Sequence, residues 1–181
     1  MKKIILIFSS FLFAYVSKAQ TMYTYSVTSI EGVNKPLSAY SGKKILVITL
    51  PTQQNAANDS VLHSLDSIRI AYPGQLQIIA VPAYEDGYTP TVKASLTQWY
   101  RSKLGADIII TDGMYTRKTS GSQQHPLFQW LTDKNKNGSF NQDVTGIKNK
   151  FIIWTDGSLT SVLGAPVKLG GAVMNDLLQS Q

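Results

Sequence analysis

The chain of 181 residues contains no cysteine. That absence removes disulfides, thiolate nucleophiles, thiolate metal sites and disulfide exchange from anything this polypeptide does. Histidine is scarce too, with only His63 and His125. A metal centre needs three or four converging ligands, and two isolated histidines do not supply them. Charged residues make up only 15% of the chain. No run of Lys and Arg is longer than a pair, so the electrostatic footprint of a nucleic-acid binder is missing. After Val16 there is no apolar run near the roughly 20 residues that a membrane-spanning helix requires.

The apolar content of 43% is that of a chain that folds around a core, and the length suits one domain. The first nineteen residues read differently. Lys2 and Lys3 are followed by an apolar run from Ile4 to Val16, then by small residues at Ser17 and Ala19. This is the pattern of a secretory signal peptide cleaved after Ala19. The expected product is a single domain over 20–181, secreted or periplasmic. It keeps no membrane anchor, since no cysteine is available for lipidation. Three of the 17 basic residues (Lys2, Lys3, Lys18) leave with the leader, so 14 remain against 11 acidic residues, a net charge of +3.

Hydrophobic patterning gives the elements. Residues 21–28, TMYTYSVT, alternate and read as a strand. KILVITL at 44–50 is continuously apolar, as expected for a strand covered on both faces. After a polar loop at 52–58, Asp59 or Ser60 is the expected cap of a helix. That helix carries Val61, Leu65, Ile68 and Tyr72 on one face and stops at Pro73-Gly74. QLQIIAV at 75–81 is a second buried strand, parallel to the first through a right-handed crossover. Thr89-Pro90 has the signature of a helix start, with Val92, Leu96, Trp99 and Lys103 on one face. Residues 107–111 are extended. His125-Pro126 opens a short helix through Leu131, with His125 as its cap, and a polar insert occupies 133–143. Lys150–Trp154 is a third buried strand, joined by an Asp156-Gly157 turn to a return strand at Ser158–Leu163. A last helix from Gly171 is expected to bury Val173, Met174, Leu177 and Leu178. Trp99 and Trp130 fall at core positions, whereas Trp154 is left open as a surface for binding. Periodicity alone supports an α/β sandwich.

Several of these segments carry a resemblance. Gly42-Lys43 leads into an apolar strand, and Val81-Pro82 precedes a loop containing Gly87. MYTRKTSGSQQHPLF runs from Met114 to Phe128, and KFII at 150–153 is followed by Asp156-Gly157. In this order and spacing, over roughly residues 24–167, the chain resembles the glutathione peroxidase family. The resemblance implies a thioredoxin-like fold of glutathione-peroxidase type, an α/β architecture with a central mixed sheet flanked by helices. It also implies a peroxide site built from a cysteine or selenocysteine with a Gln, a Trp and an Asn. Those roles fall here on Gln54, Glu85 and the pair Gly146-Ile147. All four are vacated, because an amide cannot form a thiolate or a sulfenic acid, and Asn55 or Asn149 could restore only the Asn. The resemblance therefore points to a degenerate member, an exported binding or structural module in which Glu85 and Asp86 make the rim of the old pocket acidic. The alternative it leaves is an oxidoreductase of the oxidative-stress response using a partner's thiol or another chemistry.

Two further patterns complete the inventory. Asp133, Asn135, Asn137 and Gly138 copy the first half of an EF-hand loop, making a calcium-stabilised interaction domain the second alternative. Position 12 of that loop, which calls for Glu, is Val144. Ser60, His63 and Asp66 share a helix without the turn-borne nucleophile a hydrolytic triad needs, and read as a cap and an exposed face. No cofactor other than calcium is expected, and the partner, protein or small molecule, is unidentified.

Overall fold

A computed structural model describes residues 20–180, and the expected leader lies outside the described residues. In chain order the strands are β1 (Ser26–Thr28), β2 (Asn34–Pro36), β3 (Lys44–Leu50), β4 (Leu76–Pro82), β5 (Ile109–Ile110), β6 (Lys150–Ile153) and β7 (Leu159–Leu163). The helices are α1 (Ala56–Ala71), α2 (Lys93–Lys103), α3 (Pro126–Thr132), α4 (Lys134–Asn137) and α5 (Ala172–Gln179). β1 and β2 form a separate antiparallel ribbon, and the other strands make one mixed sheet in the order β5-β4-β3-β6-β7. β4 runs parallel to β3 and β5, while β6 is antiparallel to both β3 and β7.

The continuous apolar run of β3 is explained by two cores. Leu46, Ile48 and Leu50 pack with Leu62 and Leu65 of α1, Leu96 and Trp99 of α2, and Met174 of α5. Ile45 and Val47 face the other way, onto Leu127, Phe128 and Trp130 of α3 and onto Met22, Val27 and Leu37. Both faces are dry, so alternation has no polar partner to alternate with. Trp99 and Trp130 are core residues, and each indole N–H is spent, on Asp59 Oδ1 at 2.7 Å and on the Gln20 carbonyl at 2.5 Å.

Four local expectations change. Residues 21–28 are not one strand: Met22–Thr24 form a 3-10 turn pinned by Met22 N–H to the Gly157 carbonyl at 3.0 Å, and only Ser26–Thr28 pair. α1 starts at Ala56, capped by Asn55, whose side chain accepts from Asn58 N–H at 2.9 Å. The cap's side-chain acceptor outweighs the polar look of 52–58, and neither Asp59 nor Ser60 is the cap. Thr89-Pro90 makes a turn, with Thr89 spent on Thr91, and α2 opens at Lys93. In α5 only Met174 and Leu178 are buried, while Val173 is 54% exposed. The His125 cap is present, with Nδ1 accepting from Leu127 N–H at 3.2 Å.

Candidate functional site

The parallel pair β3 and β4 brings two loops to the same edge of the sheet, and antiparallel β6 begins there. Such an edge is where open α/β sheets place ligands. The loops enclose a cleft of about 540 Å³. Pro51, Thr52 and Gln53 come from the end of β3, Asn58 from the first turn of α1 and Asp86 from the loop after β4. Arg117 reaches in from the long loop after β5, and Gly146, Ile147 and Lys148 come from the segment before β6.

Thr49, fully buried, is the residue that fixes the far wall. Its hydroxyl donates to the Gly146 carbonyl at 2.8 Å and accepts from Asn149 N–H at 2.9 Å. Its own carbonyl takes Lys148 N–H at 2.8 Å. Asn149 is buried and its Oδ1 accepts from both the N–H and the hydroxyl of Thr145. Held this way, Lys148 adopts a left-handed backbone at φ 64°, a conformation costing a side-chain-bearing residue roughly 1 kcal/mol that persists only where its surroundings over-determine it.

The near wall is charged. Asp86 pairs with the Arg117 guanidinium, and the carboxylate side chain is only 11% exposed. Burial pushes the Asp86 carboxyl above its ordinary range, Arg117 opposes that, and the Glu85 charge adds to it. Asp86 Oδ2 and Arg117 Nε are buried without a hydrogen-bond partner among the described residues. Thr52 donates its hydroxyl to the Asp86 carbonyl, tying the two loops together.

The sequence-derived site residues separate here. Gln54 is exposed and does not line the cleft, whereas its neighbour Gln53 does. Glu85 is not on the rim: its Oε1 turns under the loop and accepts from Thr116 N–H, Arg117 N–H and the Ser120 hydroxyl, each at 2.8 Å. Burial raises its pKa, but these bonds outweigh burial and hold the carboxyl below its usual value. The acidic rim is therefore Asp86 alone, and Glu85 positions Arg117. Gly146 and Ile147 do line the cleft and bring no indole or amide. Arg117 was missed because its approach depends on a loop 31 residues from Asp86 in sequence.

The half EF-hand does not assemble. Asp133 Oδ1 caps α4 through Asn135 N–H, and Asn135 is exposed. Asn137 is 4% exposed; its oxygen takes Ser139 and Phe140 N–H, and its amide donates to the Trp130 and Phe140 carbonyls. Helical winding at Lys134–Asn137 turns the three oxygens to separate tasks. Among the described residues no three His, Asp or Glu side chains form a group able to hold a metal. Ser60, His63 and Asp66 also stay apart in role, with Asp66 engaged by Arg69 Nε at 2.7 Å.

No family model matches the chain. Solved structures establish the class of fold as thioredoxin-like. The apo form of Trgpx superposes with a TM-score of 0.64 at 20% identity, covering 88% of this chain and 94% of that one. A thioredoxin-family thiol:disulfide interchange protein from Chlorobium tepidum TLS gives 0.61 at 11%, covering 90% and 96%. Sequence relatives narrow the likeness to glutathione peroxidases. The chain is 22% identical over 146 residues to glutathione peroxidase 1 of Caenorhabditis elegans, covering 80% of this chain and 86% of the relative. It is 25% identical over 145 residues to a probable phospholipid hydroperoxide glutathione peroxidase of Nicotiana sylvestris, covering 79% and 83%. The chain is thus similar to glutathione peroxidases in sequence and thioredoxin-like in fold, and it has no cysteine.

Proposed function

We propose that this is an exported, non-catalytic binding protein, in which a peroxidase-like scaffold keeps its cleft and uses it to hold a ligand. One observation carries the reading. The loops that would frame a thiol site still converge, yet the chain has no cysteine and the cleft they enclose is walled by Asp86, Arg117 and Lys148. A buried carboxylate oxygen and a buried guanidinium N–H left unpaired each cost on the order of 1–3 kcal/mol. A polar ligand offering a donor beside an acceptor, as a peptide segment or a small amide does, would pair with the parts of Asp86, Arg117 and Lys148 that line the cleft. Peroxide reduction by a chain thiol has no candidate atom.

The test is peroxide consumption by the purified protein with thioredoxin or glutathione as reductant, with Gln53→Cys and Gln54→Cys assayed beside it. Wild-type turnover at the buffer rate is expected. Turnover that survives thiol-blocking reagents and is lost in Asp86→Asn overturns the non-catalytic reading and favours cysteine-free chemistry in the cleft. Export is tested separately, by fusing residues 1–19 to a reporter and following its location.

A further inference from the structure

Beside the cleft, and sharing Lys148 and Ala165 with it, lies a smaller pocket of about 250 Å³. Its floor is Lys150 at the start of β6. The side chain is 1% exposed, and its ammonium donates to the Lys148 carbonyl at 2.7 Å and the Gly164 carbonyl at 2.9 Å. An ammonium has three N–H groups, and the third meets no acceptor among the described residues. None of the ion pairs among those residues includes Lys150. Lys148 and Lys168 stand on the walls, Ser60 and Ser64 of α1 face them, and no acidic residue lines the pocket.

We propose that this pocket is a binding site for a small oxyanion, a phosphate or a carboxylate, seated on the Lys150 ammonium between Lys148, Lys168 and the α1 serines. A buried cation normally carries a counter-charge, because its desolvation is otherwise uncompensated. Here two carbonyl dipoles supply part of that compensation and the protein supplies no anion. The charged groups facing Lys150 are both lysines, so the local field adds to the demand for an anion. Burial, with Lys148 beside it, lowers the Lys150 pKa to about 8. At pH 7 the group is therefore still protonated, and an arriving oxyanion meets a charge-assisted donor on a buried side chain. The Ser60 hydroxyl can donate to a remaining oxygen of the anion, whereas the Ser64 hydroxyl already donates to the Ser60 carbonyl at 2.8 Å. The site stands whether or not the neighbouring cleft binds a ligand.

Calorimetric titration of the purified protein at pH 7, with methyl phosphate and acetate in separate arms at constant ionic strength, tests the proposal. Saturable binding of one or both is expected, and the tighter arm identifies the phosphate or the carboxylate as the ligand chemistry. Lys150→Met weakens binding by about tenfold or more, the scale of a lost charge-assisted bond. Lys168→Gln alters an exposed residue and weakens binding severalfold in a protein that folds normally. Lys44→Met, an ammonium outside this pocket, leaves binding unchanged. No saturable binding in either arm overturns the proposal, as does equal binding by wild type and Lys168→Gln; if Lys150→Met does not fold, the Lys168→Gln result decides.

Discussion

The two ends of the central sheet handle charge in opposite ways. At the start of β3, Lys44 places its ammonium on the carbonyls of Leu178, at 2.8 Å, and Ser180, closing the C-terminus of α5. The same ammonium lies 4.2 Å from the centroid of the Trp154 ring. Cation, helix dipole and aromatic face satisfy one another, and this accounts for Trp154, the tryptophan whose role the sequence left open. At the other end, five buried side-chain polar atoms have no partner among the described residues. They belong to Glu85, Asp86, Thr111, Thr116 and Arg117, all in or bordering the loops after β4 and β5. Each such atom carries a cost, and their collection at one edge sets that end of the sheet apart from the closed one. Lys150 extends the contrast: like Lys44 it rests on carbonyls, but it has no aromatic face or helix end to complete its shell.

The largest expected effect tests that contrast through pH. The Lys150 pKa is about 8 in the fold against 10.5 for the free side chain. Between these values the unfolded chain binds the proton and the folded chain does not, so stability rises with pH. The contribution is complete above the unfolded value and is lost as pH falls through about 8. Its ceiling is on the order of 3 kcal/mol, and urea unfolding between pH 7 and 9.5 should show a rising slope that Lys150→Met removes. Tyrosines whose pKa values are raised by burial, Tyr88 and Tyr100 among them, pull the other way above pH 10, so the window closes there. Equal slopes in the two proteins would mean that Lys150 is not buried as a cation.

Thr49→Val comes next. It conserves shape but strands the Gly146 carbonyl and the Asn149 N–H, at a cost of about 2 kcal/mol. Unfolding midpoints measure the loss, and hydrogen exchange should rise first across residues 145–149. An unchanged midpoint would show that the open end is held by something else. Lys44→Met breaks the closed end instead. It should cost about 1 kcal/mol and speed exchange in α5 without altering the cleft. Calcium gives the smallest effect: millimolar calcium leaves the midpoint unchanged, because Asp133 and Asn137 are committed to backbone. A rise that Asp133→Ala abolishes would restore the calcium-stabilised alternative.

What the sequence revealed depended on whether the signal was local. β3, β4 and β6 were legible as continuous apolar runs, and the His125 cap and the Asp156-Gly157 turn announce themselves within a few residues. The start of α1 was misplaced because Asn55 looks like loop until its side chain is seen on Asn58 N–H. Residues 21–28 alternate as a strand does, but a distant contact with Gly157 winds the first half into a turn. At the site, the absence of cysteine was plain, and Gly146 and Ile147 line the cleft. The division of labour between Glu85 and Asp86 was not legible, because adjacent carboxylates look alike until Arg117 arrives from another loop to separate them.

Thr49 has a consequence for how the strands find each other. In a sheet with one wet face, a slip of one residue throws apolar side chains into water, and the error corrects itself. β3 has no wet face, so a slipped pairing would exchange one greasy surface for another at little cost. Thr49 is the polar residue within the run from Ile45 to Leu50, and it reaches its partners in the segment before β6 only in the observed alignment of Ile45 with Ile153 through Ile48 with Lys150. Its hydroxyl acts as an index mark for assembly. The proofreading of strand alignment and the contour of the cleft therefore rest on the same few hydrogen bonds, and a change that blurred one would blur the other.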